Sequence, residues 1–172
     1  MKVNIRLARK EDLSEYTKLL QAIYQDAYVN EVIGLTKECF SQEVFTSKRI
    51  QDYLKSNLKI SNKQKTWLAI LGRELIGSIT IQNMADECEL KGFYVKTKCQ
   101  GKGVGRRLWK DALSFANEKD IVLDIYRHNK KTIDIYKKWG FKIDAVRGNF
   151  FRHWPEWPRN VTAECIYMRL VL

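Results

Sequence analysis

Histidine and cysteine are scarce in this chain, and what there is lies scattered. The two histidines, His128 and His153, have no partner at catalytic spacing, so they read as structural rather than as activators of a nucleophile. Cys39, Cys88, Cys99 and Cys165 form no Cys-x-x-Cys pair and have no histidine at ligand spacing. That argues against a zinc or other metal site and against a disulfide framework, and it suggests a reduced, intracellular chain. No segment reaches the ~20 apolar residues needed to cross a bilayer. The amino end, Met1 to Lys10, also lacks the apolar run of a signal peptide. A soluble, cytoplasmic protein without membrane association is expected. No Gly-Lys-Ser or Gly-Lys-Thr occurs, which removes the usual phosphate loop of nucleoside triphosphate enzymes. There is no internal repeat and no low-complexity stretch.

What is present is enough for one good core. With 172 residues, 45% of them hydrophobic, a single domain over residues 1–172 is expected. The formal net charge of +11, from 31 Lys and Arg against 20 Asp and Glu, fits a polyanionic partner such as nucleic acid, anionic lipid or a phosphorylated cofactor. Charge alone does not choose among them.

Hydrophobic spacing predicts the elements. Val3, Ile5 and Leu7 mark a short strand, after which Asp12 is placed as the cap of a helix with Leu13, Tyr16, Leu20, Ile23 and Ala27 on its buried face. A second helical region follows Gly34 and is clearest from Ser47 onward. Residues 67–71 and 75–81, joined by a glycine-led turn, read as a hairpin, and Cys88 to Val95 as the third strand of an antiparallel meander. Gly92 inside that strand predicts a bulge or a close backbone approach. Leu108, Ala112, Phe115 and Ala116 form a helical stripe. Ile121 to Ile125 reads as a strand parallel to the one before that helix, because a crossover helix separates them. Asn129 opens a further helix that Gly140 ends. Phe141 to Val146 and Val161 to Leu170 are read as a final strand pair, with the aromatic segment Phe150 to Trp157 between them as either a wall of the substrate site or a lid over the core. Trp67 and Trp109 are read as core.

The stretch from Val95 to Trp109 organises the rest. Gly101, Gly103 and Gly105 lie between a strand and a helix, where a chain without Cβ atoms can turn successive N–H groups inward beside the positive end of a helix dipole. This is the composition of a pyrophosphate cradle, with Lys98, Lys102, Arg106 and Arg107 placed around it.

Three blocks in order, Glu89 to Val95, Gln100 to Gly105 and Asn129 to Phe141, closely resemble the GNAT superfamily of acetyl-CoA-dependent N-acetyltransferases. Gln100, Gly103, Gly105, Asn129, Thr132, Tyr136, Gly140 and Phe141 stand at the family's motif positions. Thr97 replaces a common proline and Thr132 a common alanine. The resemblance implies an α/β (α+β) fold. Its central twisted sheet, mixed but mostly antiparallel, has about seven strands splayed at the cofactor cleft and about four flanking helices. It implies acetyl-CoA as acyl donor, with cofactor contacts from Phe93, Tyr94, Val95, Gln100, Gly101, Lys102, Gly103, Val104, Gly105, Arg106, Asn129, Tyr136 and Lys138. It also implies Tyr136 as general acid to the departing sulfur, the main-chain N–H of Val95 as oxyanion donor, and Glu89 as a base toward the amine, with Asp86 and Glu87 as neighbours. Many relatives pair, so a homodimer is an open expectation.

Two other classes fit parts of this pattern. A dinucleotide-binding enzyme is suggested by Gly101 and Gly103 ahead of a helix and by Asp124 beyond it, but its third glycine would fall at Arg106. A basic nucleic-acid-binding module predicts steeply salt-dependent binding and no thioester turnover. The acceptor amine stays open among polyamines, antibiotics, amino acids, peptides and protein N-termini.

Overall fold

The computed structural model describes residues 2–172. Strand β1 (Val3–Leu7) leads into helix α1 (Leu13–Ala27), and short turns then give α2 (Gln42–Thr46) and α3 (Lys48–Leu58). The meander β2 (Gln64–Leu71), β3 (Glu74–Asn83) and β4 (Cys88–Val95) follows. Then come α4 (Val104–Ala116), β5 (Ile121–Tyr126), α5 (Lys130–Lys138), β6 (Lys142–Ile143), β7 (Asn149–Arg152) and β8 (Ala163–Leu170). The strands form one sheet in the order β1-β2-β3-β4-β5-β8-β6, with β7 also paired to β8. Among the described strands only β4 and β5 run parallel; the other pairs are antiparallel.

Two apolar clusters cover the two faces of this sheet. Tyr16, Leu20, Leu54 and Leu58 of α1 and α3 pack with Leu68 on one face. Leu108, Ala112 and Ala116 of α4 and Ile133 of α5 pack with Ile79 and Ile81 on the other. Alanines at the α4 contact keep that helix close to the strands, which matters because α4 grows out of the glycine turn. Trp67 and Trp109 sit half-buried at the margin of the second cluster instead of in its interior.

The architecture is the expected one, with eight strands and five α-helices among the described residues in place of about seven and four. The uncertain helical region divides because Ser41 and Ser47 each cap a new helix, their hydroxyls accepting from the N–H groups of Val44 and Ile50 at 3.3 and 3.4 Å. The strand expected over Phe141 to Val146 stops after Ile143. There the buried Asp144 carboxylate accepts from the Arg147 N–H at 3.3 Å and from Arg169 at 3.0 Å, and so turns the chain. The additional strand β7 takes the first residues of the aromatic segment. Asp12 does not cap α1 with its side chain: its carboxylate is forked by Arg6 at 2.6 and 2.8 Å and accepts the Arg9 N–H. The Arg6 hydrogen bonds hold its pKa below the usual carboxylate value.

Candidate active site

The parallel pair is where the sheet opens. β4 and β5 are in register only at Cys88 with Ile121 and Glu89 with Val122, and beyond that point they diverge. On its other side β4 stays paired with β3 as far as Gly77 opposite Val95. The Lys96 N–H donates to the Ile76 carbonyl at 2.9 Å, so Gly77 and Val95 form a non-hydrogen-bonded pair. The N–H and C=O of Val95 therefore point away from β3, into the gap toward β5. By the same alternation the N–H of Phe93 does too. The Val95 carbonyl is taken by the Gln100 side chain at 3.1 Å. The resemblance implies contacts from both Phe93 and Val95; that both amides face the gap follows from the register.

A bulge sets which side chains face which way. Gly92 pairs with Thr80 and Leu90 with Ile81, leaving Lys91 as the extra residue. This restores Glu89 and Tyr94 to one face, and the Tyr94 ring lies so near Gly92 that a Cβ there would meet it at 2.5 Å. The glycine expected to mark a bulge does so for that reason.

The turn after β4 has the conformation its glycines predict. Gly101 and Gly103 have φ of 73° and 79°, the left-handed region, with open space where a Cβ would project. Gly103 caps α4, and the first intrahelical bond runs from the Arg107 N–H to the Gly103 carbonyl at 3.1 Å. The preceding N–H groups of that first turn have no helical carbonyl to meet, and they present an anion site at the end of a 13-residue helix. The charge around it differs from expectation. Lys98 is bound to Glu74 at 2.9 Å, and Arg107 donates to the Val3 carbonyl at 2.8 Å. Glu74 is held down to about 2 by hydrogen bonds from Lys96 and Lys98. Lys102 and Arg106 remain exposed at the turn, and Lys131 reaches toward it through Gln100 at 3.5 Å. Val104 is buried beneath the turn, and Lys138 lies exposed in the last turn of α5.

A cavity of about 210 Å³ runs from this turn along β4, lined by Val95, Gln100, Gly101, Gly105, Asn129 and Tyr136 among others. Asn129 is buried and caps α5, its side-chain oxygen accepting the Thr132 N–H at 3.3 Å. A second cavity of about 320 Å³ adjoins it, lined by Glu89, Lys91, Asp124, Arg152 and a set of aromatic rings. Tyr28, Phe93, Tyr94, Thr132 and Tyr136 line both, so the two cavities meet at the split between β4 and β5.

Tyr136 stands at that junction, its ring edge-on to Phe141 with centroids 5.2 Å apart. Burial, followed by the Asp124 charge, raises its hydroxyl well above the ordinary phenol value, so it stays protonated. Glu89 is half-buried, and burial raises its carboxyl above the usual range, which makes it a better proton acceptor near neutrality. Glu87 is engaged with Arg169 at 3.0 Å and with Arg147, which leaves it no part in the cavity, and Asp86 is exposed on a turn.

The aromatic segment divides its work. Arg152 and Trp154 wall the larger cavity, whereas Trp157 is buried and donates its ring N–H to the Cys39 carbonyl at 3.1 Å. Both histidines serve main-chain carbonyls, His128 that of Tyr28 at 3.0 Å and His153 that of Val161 at 2.8 Å. Asp124 pairs with Arg152 at 2.8 Å inside the larger cavity, and the strands ahead of the turn are antiparallel. The dinucleotide reading fails on both counts. Among the described residues no cluster of three metal-ligating side chains occurs, and no helix is long and apolar enough to cross a membrane.

Known proteins share this fold. The sequence is 26% identical to the spermidine N(1)-acetyltransferase of Thermoplasma acidophilum, over 88% of this chain and 95% of that one. The fold superposes on the PaiA N-acetyltransferase of Thermoplasma acidophilum in complex with coenzyme A, with a TM-score of 0.69, 21% identity and all of both chains covered. It also superposes on a GNAT-family acetyltransferase from Streptococcus pneumoniae, with a TM-score of 0.69, 19% identity and 99% of this chain and 100% of that chain covered. The sequence model of the Acetyltransferase (GNAT) family matches residues 18–141, so this chain belongs to the GNAT family and is an N-acetyltransferase.

Proposed function

We propose that this enzyme takes acetyl-CoA in the cavity that begins at the glycine turn and passes the acetyl group directly to a primary amine held in the adjoining cavity. The observation that carries this is the split between β4 and β5, where two cavities meet beside the inward-facing amides of Phe93 and Val95 and the Tyr136 hydroxyl. The cofactor supplies an activated acyl group. The N–H groups from Gly101 to Arg106 hold its diphosphate, with Lys102, Arg106 and, farther out, Lys138 adding positive charge. The exposed edge of β4 from Phe93 to Val95 aligns its pantetheine arm as a neighbouring strand would be aligned, with Asn129 on the other wall.

Within that frame the chain's own groups manage protons and charge. Glu89 accepts the proton that the amine must lose before its lone pair can attack. As the C–N bond forms and the C–S bond breaks, the Val95 N–H, seconded by Phe93, stabilises the negative charge on the carbonyl oxygen. Tyr136 donates to the sulfur that leaves with the electron pair. A lysine-like amine, with a pKa of about 10.4, needs Glu89 more than an α-amine of about 8 does.

The single-domain organisation is supported by the one continuous sheet, and the scattered buried cysteines agree with a cytoplasmic location. The Thermoplasma relative named for spermidine makes a polyamine one acceptor to test. The deciding experiment couples calorimetric titration with coenzyme A to a thiol-release assay over a panel of amines. Saturable binding and acceptor-dependent thiol release are expected, and a chain that takes up no coenzyme A would end this reading.

A further inference from the structure

The larger cavity is charged in a way a polyamine site would not be. Arg49, Lys91 and Arg152 line it against only Glu89 and Asp124. Two of the cations are already neutralised. Arg152 pairs with Asp124 at 2.8 Å, and the Arg49 guanidinium holds Glu156 through two nitrogens, its Nε lying 2.9 Å from Oε1. What remains is one carboxylate and one ammonium. Glu89 makes no ion pair among the described residues, and Lys91 finds only the neutral side-chain oxygen of Gln64 at 3.0 Å, with its charge over the Tyr53 ring at 5.5 Å. Each is within electrostatic reach of the other, yet the two are not in contact.

Both lie on β4 beside the bulge, on the cavity side of the strand. Taking either charge out of water costs free energy unless an opposite charge meets it. A ligand with an amine at one end and an anion nearby satisfies both at once. A polycation would leave Lys91 unanswered and would be repelled by that unpaired ammonium. The remaining walls are largely aromatic, among them Tyr24, Tyr28, Tyr53 and Trp154 beside Ile50, which suits an acceptor with an aromatic body.

Resting on the acyl-transfer reading above, we infer that the acceptor is a zwitterion, a primary amine that also carries a carboxylate, with its amine on the Glu89 side and its carboxylate on Lys91. An α-amino acid with an apolar side chain is the simplest member of that class. Its ammonium gives up one proton to reach the neutral amine. The nitrogen then bonds to the acyl carbon, the sulfur departs with the electron pair of the C–S bond, and the second proton shed by nitrogen balances the one sulfur gains. The products are the N-acetyl amino acid and free coenzyme A.

The test compares L-phenylalanine, phenethylamine and spermidine in the thiol-release assay, for the wild-type chain and for Lys91→Met and Lys91→Arg. Calorimetry with coenzyme A is run on all three proteins. Phenylalanine should exceed phenethylamine and spermidine in kcat/KM by about tenfold or more, the scale of one charge-assisted contact. Lys91→Met should collapse that preference through KM, and Lys91→Arg should retain most of it. Preference for phenethylamine or spermidine, a preference that survives Lys91→Met unchanged, or no thiol release with phenylalanine while coenzyme A still binds would each overturn the acceptor class. Acyl transfer itself would stand in those cases. Failure to bind coenzyme A at all would instead remove both.

Discussion

The two cavities that meet at the β4 and β5 split are built from different materials. The one on the turn side draws mainly on two runs of sequence, residues 93–105 and 129–139, with Ile23, Ala27 and Tyr28 completing its wall, and its phosphate end is the main chain of the glycine turn. The other is a convergence of side chains from α1, α3, β4, β5, α5 and β7, far apart in the sequence. A diphosphate is met by amide groups whose positions depend on backbone conformation, so the residues that matter are those without a Cβ. An acceptor is met by charges and rings that any of six elements can supply. A site of the first kind leaves a motif, and one of the second kind leaves scattered residues that acquire meaning only when folded.

Substitutions on either side should separate accordingly, and the largest effect belongs to the turn. Gly103→Asp forces a side chain into the left-handed region, at a cost of about 1 kcal/mol, and sets a carboxylate where an anion is to bind. Coenzyme A affinity in calorimetry should fall more than about 100-fold, on the scale of several lost charge-assisted contacts, with the circular dichroism spectrum retained. Undiminished affinity would mean the turn is not the anchor.

At the junction, Tyr136→Phe should lower kcat by about 100-fold, the lower end of what a positioned proton donor contributes. Coenzyme A affinity should stay within about twofold. A fall in affinity with kcat unchanged would move Tyr136 from chemistry into binding.

Glu89→Gln carries a pH signature. Because burial raises the Glu89 carboxyl above its ordinary 4.5, the wild-type kcat/KM should fall on an acidic limb displaced upward from that value, and the variant should be slower and lack the limb. The sign for stability runs the other way from a salt-bridged carboxylate. The folded state disfavours the charged form, so stability is complete below the unfolded pKa and is lost as pH rises through the folded one. The variant should therefore melt above wild type at pH 8, and the two should coincide near pH 4. A wild-type profile flat on its acid side would remove Glu89 as the base.

The smallest change is expected at Lys98, which the sequence places at the cradle but which Glu74 holds elsewhere. Lys98→Ala should alter coenzyme A affinity by less than about twofold. A larger loss would show that Lys98 leaves Glu74 for the ligand.

Much of this molecule was legible in the sequence for identifiable reasons. The α4 stripe of Leu108, Ala112 and Ala116 is a strong 3.6-residue repeat, and the meander strands are bounded by turn residues. Gly101 and Gly103 adopt the positive φ that a glycine-rich turn announces. The misreadings were failures of competition. Asp12 has the chemistry of a helix cap, but Arg6 on the preceding strand takes its carboxylate. Phe141 to Val146 is apolar enough for a strand, but the Asp144 network ends it early. Nothing local in Asp124, Arg152, Lys91 or Tyr53 says that they share a cavity, and their pairing is non-local in every case.

The sequence by itself determined where an anion-binding turn would form and which strand and helix would flank it, because backbone freedom and hydrophobic period are properties of neighbours along the chain. The tertiary structure decided where the sheet opens, which amides of β4 face the gap, and which charges on its far side are left without partners. Those outcomes depend on register between strands and on ion pairs formed across the fold, and neither is written in any single stretch of residues.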